Sequence, residues 1–179
     1  ELTLALHAEF ESPRDKIVWD VGHQAYPHKL VTGRLHQFHT LRQPGGISGF
    51  LRRKESPHDV WEAGHASTGV SGALGYAKAR DLKGEDYRVV AVVGDGALTG
   101  GLAYEGLNNA GSLGTDLIVI LNDNSFSIAP NVGAIHLYLS RIRSMKTYRE
   151  LRDQFTEKVS HIPHIGPAMV RTLERMTDS

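Results

Sequence analysis

The chain has 179 residues, 40% of them hydrophobic, so it is long enough to bury the core of one domain. Basic and acidic residues balance at 20 each, and bulk charge therefore favours neither a nucleic acid nor a membrane surface as a partner. No apolar run approaches the ~18 residues that a membrane-spanning helix needs. Cysteine is absent, which excludes disulfides and thiolate chemistry.

Hydrophobic periodicity and turn residues predict alternating helices and strands. In chain order, the predicted elements are a helix over 1–10, a strand over 16–20, an irregular connection over 26–61, a helix from Ser67 or Thr68 to about Arg80, a strand over 87–93, a helix from Thr99 to about Ser112, a strand over 116–122, and helices over 134–143, 147–160 and 166–177. Continuous apolar runs are typical of strands buried on both faces. The pattern therefore predicts an α/β domain with a mainly parallel sheet flanked by helices.

A polar motif follows each of the three predicted strands. Gly22-His23 follows the first, Gly94-Asp95-Gly96 the second and Asn122-Asp123-Asn124 the third. In open α/β sheets ligands bind beyond the carboxyl ends of the strands, so we expect these motifs to converge at one edge. A fourth motif, Gly64-His65-Ala66-Ser67-Thr68, precedes a predicted helix, whose first backbone N–H groups favour anions.

The second and third motifs together predict a magnesium site that holds a diphosphate. Asp95 and Asn124 lie 29 positions apart, each just past a predicted strand, and the carbonyl of Phe126 can add a third oxygen ligand. Taken alone, Gly94-Asp95-Gly96 is equally well explained as a strand-to-helix turn with a local cap. A dinucleotide fingerprint is disfavoured, because Thr99 stands where the third glycine of G-x-G-x-x-G belongs.

Two histidines are candidates for direct contact with a cofactor or substrate. His23 follows a strand end, and His65 has similar glycine-rich, polar surroundings. A lone histidine more often has a structural role, and that alternative stays open for both. Lys29 is either a phosphate contact or a solvated surface residue. Six further histidines show no metal-ligand spacing and are expected to be structural or at the surface: His36, His39, His58, His136, His161 and His164.

Four segments resemble the amino-terminal domain of the 1-deoxy-D-xylulose-5-phosphate synthases, a family of thiamine-diphosphate enzymes in the transketolase superfamily. They are DVGHQAYPHK at 20–29, GGISGF at 45–50, GHAST at 64–68 and the stretch from Gly94 to Asn124. The resemblance implies a three-layer thiamine-diphosphate-binding fold. It also implies that residues 1–179 are part of an amino-terminal domain, with an upstream segment, a pyrimidine-binding domain and a carboxyl-terminal domain outside this chain.

The resemblance implies a role for each motif. Asp95, Asn124 and the carbonyl of Phe126 would hold Mg²⁺, and the backbone of Gly96 and Ala97 would approach the diphosphate. The residues expected near the reactive ring of the cofactor are His23, Gly64, His65 and Ala66. A histidine at that position suits proton transfer to and from substrate oxygens, so His23 and His65 are the expected catalytic residues.

The implied reaction joins pyruvate to D-glyceraldehyde 3-phosphate and releases CO₂. By family expectation the product enters isoprenoid and terpenoid, thiamine or pyridoxal biosynthesis, and the enzyme is a homodimer in the bacterial cytoplasm, with a plastid as the alternative location. The partners expected from the resemblance are therefore the two small substrates and a second copy of the chain.

The chain departs from the family pattern at several positions. Ser125-Phe126 stands where Glu-Met is common, and Ala66 and Gly69 replace residues that are more often serine. Two other functions stay open: ketol transfer from a ketose phosphate, and a non-catalytic remnant that binds thiamine diphosphate or pairs with a partner subunit. Because the family's active site lies between two domains, we expect residues 1–179 alone to be inactive and to bind the cofactor weakly.

Overall fold

The computed structural model describes residues 1–123, together with 138 and 141. The chain divides into two compact units, Glu1–Asp123 and Asn124–Ser179, and the fold described below is that of the first. Its helices and strands are α1 (Leu2–Glu9), β1 (Lys16–Trp19), α2 (Tyr26–Lys29), α3 (Gly69–Lys83), β2 (Val89–Gly94), α4 (Gly101–Leu113) and β3 (Ile118–Asn122).

The three strands form one parallel sheet in the order β1-β2-β3. Trp19 pairs with Val92 across the first ladder, and Val92 with Ile120 across the second. The side chains of β2 from Val89 to Val93 are all buried, because neighbouring strands and layers cover both faces of the central strand. The predicted α/β class with a parallel sheet flanked by helices is therefore confirmed.

The sheet packs against helices on both faces. Alternate residues of β1 and β2, among them Trp19 and Val92, form one core cluster with Leu6 of α1. Residues of the opposite parity, such as Val18, face α3, whose buried side chains include Val70. Helix α4 packs on α3. Among residues 1–123, no helix combines the length and hydrophobicity that crossing a bilayer requires.

Several predicted boundaries were wrong by one to three residues, and one segment was assigned the wrong structure. The expected irregular connection at 26–61 is helical as far as residue 40: α2 leads into a π-helical turn (Leu30–Arg34) and a 3₁₀ helix (Leu35–Thr40). Pro27 suits the first turn of α2, and Gly33, with φ of 94°, kinks the helical path. The helices predicted over 134–143, 147–160 and 166–177 lie outside the described stretch, apart from the single residues 138 and 141.

Buried charges hold the 26–61 connection together. Asp59 accepts hydrogen bonds from Nη1 and Nη2 of Arg34 at 2.6 and 2.7 Å and from the Arg52 N–H at 2.9 Å. Burial raises the pKa of Asp59, but contacts with His28 and these hydrogen bonds outweigh it and lower the pKa to about 2. Below, "the Asp59 cluster" means Arg34, His28 and Asp59.

Lys29 lies beside this cluster, and both interpretations of it were wrong. Its side chain is fully buried, and Nζ donates to Oε2 of Glu55 at 2.7 Å. The other carboxylate oxygen of Glu55 accepts the Ser48 N–H at 2.7 Å. The positive charge is therefore neutralised inside the protein, and the lysine is neither a surface residue nor placed to contact a phosphate.

Candidate functional site

The polar motifs lie at one edge of the sheet, as their positions predicted. Because all three strands are parallel, the residues after Trp19, the Gly94 end of β2 and the Asn122 end of β3 point to the same side. Gly94 pairs directly with Asn122, which places the second and third motifs side by side. The edge is therefore a single surface that residues from distant parts of the chain share.

One glutamine links all three strand ends. The Nε2 group of Gln24 donates to the carbonyl oxygens of Asp20, just after β1, and of Val92, in β2. Its Oε1 accepts a hydrogen bond of 3.2 Å from Nδ2 of Asn122 in β3. The sequence interpretation assigned no role to Gln24, since nothing in its local pattern shows that its amide reaches three strands.

Asp20 joins the β1 end to the loop over residues 64–68. Its side chain is 1% exposed, and its carboxylate accepts the backbone N–H groups of Ser67 at 3.0 Å and Gly69 at 3.1 Å. A Cβ at position 69 would lie 2.9 Å from the Asp20 Cβ, so the close approach depends on glycine there. Burial raises the pKa of Asp20, while the hydrogen bonds from the two N–H groups oppose that shift.

This geometry corrects the prediction for the start of α3. The helix begins at Gly69 after Thr68, yet neither the Ser67 nor the Thr68 hydroxyl makes a capping hydrogen bond. The expected anion at the helix N-terminus is present, but it is the carboxylate of Asp20 from the protein itself. A distant side chain therefore takes the part that the local sequence assigned to a serine or threonine cap.

Ser67 connects the 64–68 loop to the loop over residues 94–97. Its backbone has φ of 75°, a left-handed conformation that is uncommon for a non-glycine residue. In this conformation the Ser67 Oγ–H donates to the carbonyl of Ala97 at 2.7 Å. A Cβ at Gly100 would overlap that hydroxyl, so glycine is required at this approach. Asp20, Ser67 and Ala97 thus form a continuous link, called here the Asp20–Ser67 bridge.

The two predicted catalytic histidines are both exposed at this edge. His23 begins a 3₁₀ turn (His23–Ala25) directly after Gly22. His65 lies in the 64–68 loop, with its Nδ1 2.8 Å from the carbonyl oxygen of Ala66, which indicates that Nδ1 carries the proton. In that tautomer Nε2 of His65 is the nitrogen left to accept a proton from a bound molecule.

The described part of the predicted magnesium site consists of Asp95 and the glycine-rich backbone beside it. Asp95 follows β2 directly and is 8% exposed, so a carboxylate stands at the strand end with limited access to water. A Cβ added at Gly94 or Gly64 would meet nothing within 4 Å, which leaves open space beside Asp95 and beside His65. Gly96 is half-buried and Ala97 is buried. These residues fit a metal-bound diphosphate.

Two predicted ligands cannot be compared with the structure. Asn124 and Phe126 lie outside the described residues. Within residues 1–123, no three His, Asp or Glu side chains come together as a metal site. A cation at Asp95 would therefore need further oxygen ligands, which the predicted Asn124 amide and Phe126 carbonyl would supply.

A parallel sheet flanked by helices defines an α/β domain, a class in which ligands bind beyond the carboxyl ends of the strands. Residues 1–179 match a family described as 1-deoxy-D-xylulose-5-phosphate synthase, and the chain belongs to that family. This confirms the resemblance carried by the four motifs.

Curated relatives give the same assignment. The chain is 61% identical over 179 residues to the 1-deoxy-D-xylulose-5-phosphate synthase of Carboxydothermus hydrogenoformans, covering 100% of this chain and 29% of that protein. It is 61% identical over 178 residues to the synthase of the same name from Symbiobacterium thermophilum, covering 99% and 28%. For that of Thermomicrobium roseum the identity is 60% over 178 residues, covering 99% and 28%. The chain thus spans less than a third of the length of these relatives.

Proposed function

We propose that the chain is the diphosphate-binding part of an enzyme that makes 1-deoxy-D-xylulose 5-phosphate from pyruvate and D-glyceraldehyde 3-phosphate. The observation that carries the proposal is the linkage of the three strand ends through Gln24, at the edge where Asp95 follows β2, in a chain 61% identical to named synthases. The enzyme is a transferase, and the isoprenoid pathway is the proposed destination of its product. We further propose that the enzyme is a homodimer and that it is located in the bacterial cytoplasm.

The reaction breaks the bond between C1 and C2 of pyruvate and releases C1 as CO₂. A new bond forms between C2 and the aldehyde carbon of glyceraldehyde 3-phosphate, and the aldehyde oxygen takes up a proton. Thiamine diphosphate, when bound, supplies a nucleophilic carbon and a sink for the electrons that the departing CO₂ leaves behind. The protein's part is to bind, to orient and to move protons.

Different residues of this chain would bind the metal, orient the cofactor and transfer protons. The Asp95 carboxylate would bind Mg²⁺ together with Asn124 and the Phe126 carbonyl, and Gly96 and Ala97 would approach the diphosphate through their backbone. Gly64 and Ala66 would lie against the cofactor near its reactive ring. His23 and His65, both exposed at the same edge, would exchange protons with the substrate oxygens. The Nε2 atom of His65 suits this role, because its Nδ1–H is engaged by the Ala66 carbonyl.

The test uses the full-length product of the gene with Mg²⁺, thiamine diphosphate and both substrates. We expect CO₂ release coupled to formation of a five-carbon ketose phosphate, and we expect Asp95→Ala to abolish it because the metal loses its carboxylate. Asp86→Ala is the matched control, since that carboxylate is almost fully exposed just before β2, at the opposite edge of the sheet. It should leave the rate unchanged.

Three results would contradict the proposal in different ways. Turnover of a ketose phosphate without pyruvate would indicate ketol transfer. Cofactor binding without any turnover would indicate a non-catalytic binding protein. Full activity in Asp95→Ala would refute the metal site itself. The 179-residue chain by itself is expected to be inactive, because it spans less than a third of its relatives.

A further inference from the structure

We propose that Asp20, acting through Ser67, is a positioning residue that sets the place of His65 and of the 94–97 loop relative to β1. The inference rests on the proposed function, since it concerns the same site. It adds a residue that contacts neither the expected diphosphate nor the expected metal. Its effect is transmitted by the Asp20–Ser67 bridge.

Hydrogen bonds of its backbone hold Asp20 on the sheet. Its backbone N–H donates to the carbonyl of Val92 at 2.8 Å, so the residue continues the ladder between β1 and β2. Its own carbonyl accepts a hydrogen bond from Gln24, which is in turn bonded to β3. The backbone on both sides of the carboxylate is therefore fixed to the sheet.

The Asp20 carboxylate holds the 64–68 loop in a conformation that is strained at Ser67. Ser67 adopts φ of 75°, which a non-glycine residue keeps only where its surroundings impose it. The two hydrogen bonds from the N–H groups of Ser67 and Gly69 to Asp20 supply that constraint. His65 is two residues before Ser67, within the same turn, so its position follows from the conformation that Asp20 imposes.

Ser67 transmits the position of the 64–68 loop to the loop that contains Asp95. In the imposed conformation the Ser67 hydroxyl reaches the Ala97 carbonyl, and that bond is buried. A shift of the 64–68 loop would therefore move or release the 94–97 loop as well. Misplacement of reacting groups by about 1 Å can cost roughly 10²-fold in rate, so a positioning residue of this kind has a large effect on kcat.

The chain contains a matched control in Asp15. This residue is also buried, at 6% exposure, and also accepts two backbone N–H groups, those of Glu11 and Arg88, each at 2.8 Å. It directly precedes β1, whereas Asp20 directly follows it, so the two carboxylates make similar bonds at opposite ends of one strand. Loss of Asp15 should cost stability without reaching the site.

The experiment compares Asp20→Asn and Asp15→Asn in the full-length enzyme. In Asp20→Asn an NH₂ group replaces one carboxylate oxygen, and this group cannot accept a hydrogen bond from a backbone N–H. At least one of the bonds from Ser67 and Gly69 is therefore lost. We expect both variants to lose thermal stability, but only Asp20→Asn to lose kcat, by roughly 10²-fold, with a much smaller change in the KM for pyruvate. Equal kcat in the two variants would overturn the proposal.

A second measurement does not depend on turnover. Hydrogen–deuterium exchange of the peptide covering 64–70 should accelerate by roughly tenfold or more in Asp20→Asn and stay unchanged in Asp15→Asn. If the wild-type enzyme is inactive, the proposed function is refuted. The exchange rate of the peptide 64–70 still tests whether Asp20 holds the loop in place. Unchanged exchange at 64–70 in Asp20→Asn would overturn that role.

Ser67→Ala serves if Asp20→Asn does not fold. It keeps both backbone bonds to Asp20 and removes only the hydroxyl bond to Ala97. We expect a kcat between those of wild type and Asp20→Asn, with the 64–70 exchange rate close to that of wild type. Wild-type kcat in Ser67→Ala would refute transmission through the bridge.

Discussion

Replacing Asp59 by asparagine should be one of the most destabilising isosteric changes available in the described part of the chain. Its side chain is fully buried, and the paired guanidinium of Arg34 is 5% exposed. An asparagine amide offers one acceptor oxygen in place of two, and its NH₂ group would face an N–H donor of Arg34 or Arg52. Breaking a buried pair by removing one partner costs about 3–5 kcal/mol, and we expect a loss of that size at pH 7.

Urea unfolding followed by tryptophan fluorescence measures this loss. One of the two tryptophans of the chain, Trp19, is 3% exposed. Its ring centre lies 5.6 Å from that of His28, a member of the Asp59 cluster, so its fluorescence reports on the surroundings of that cluster. A double-mutant cycle with Arg34→Met isolates the pair. The double variant should be less destabilised than the sum of the single changes by on the order of 1–3 kcal/mol, because no charge is left buried alone.

The destabilisation caused by Asp59→Asn should depend on pH, and the direction follows from the lowered pKa of Asp59. A carboxyl whose pKa falls from 3.8 to about 2 on folding stabilises the protein above pH 3.8, and that stabilisation is lost as the pH falls through about 2. The difference in unfolding free energy between wild type and Asp59→Asn should therefore shrink by about 2 kcal/mol between pH 5 and pH 2.

The control is Asp116→Asn, which breaks the ion pair with Arg88. Both side chains of that pair are about 60% exposed, so solvent screens their attraction and the expected loss is below about 1 kcal/mol. The reasoning is refuted if Asp59→Asn costs no more than Asp116→Asn, or if the difference between wild type and Asp59→Asn does not change with pH.

Two further variants test the close contacts of the site by urea unfolding. Gly100→Ala should cost about 1–3 kcal/mol, because the new methyl overlaps the Ser67 hydroxyl, whereas Gly101→Ala, with open space at its Cβ, should be neutral or stabilising. Gln24→Glu should cost about 1–3 kcal/mol, since a carboxylate cannot donate to the two carbonyl oxygens that Gln24 binds. Gln43→Glu, which removes a single exposed bond, is its control, and equal losses would contradict the proposed linkage.

The sequence was sufficient to predict the sheet and the edge at which the motifs meet. Continuous β-branched runs identify a buried parallel strand, and the polar residues directly after them then share one side. The limits of the second strand differ from the prediction. The predicted strand over 87–93 starts two residues before the first ladder pair, which is at Val89. The Arg88 N–H donates to the Asp15 carboxylate, while its carbonyl accepts the Lys16 N–H of β1.

The links between the motifs could not be predicted, because each joins residues far apart in the chain through one side-chain atom. Asp20 reaches Ser67 over 47 positions and Ser67 reaches Ala97 over 30. The burial of Lys29 has the same origin, since its partner Glu55 is 26 positions away. Residue type and spacing carry no information about such contacts, so a carboxylate that caps a distant helix looks like any other residue at a strand end.

The bond between Gln24 and Asn122 has a consequence for how the protein is made. This bond spans 98 positions in the sequence. The first pairing partner of β1 also comes late, because Lys16 pairs with Val89, which is synthesised 73 residues after it. A ribosome that adds about 5–20 residues per second therefore leaves the strand Lys16–Trp19 without its neighbour for several seconds. During that interval the nascent chain presents an unpaired apolar strand, and the carboxyl edge of the sheet assembles only after β3 has emerged.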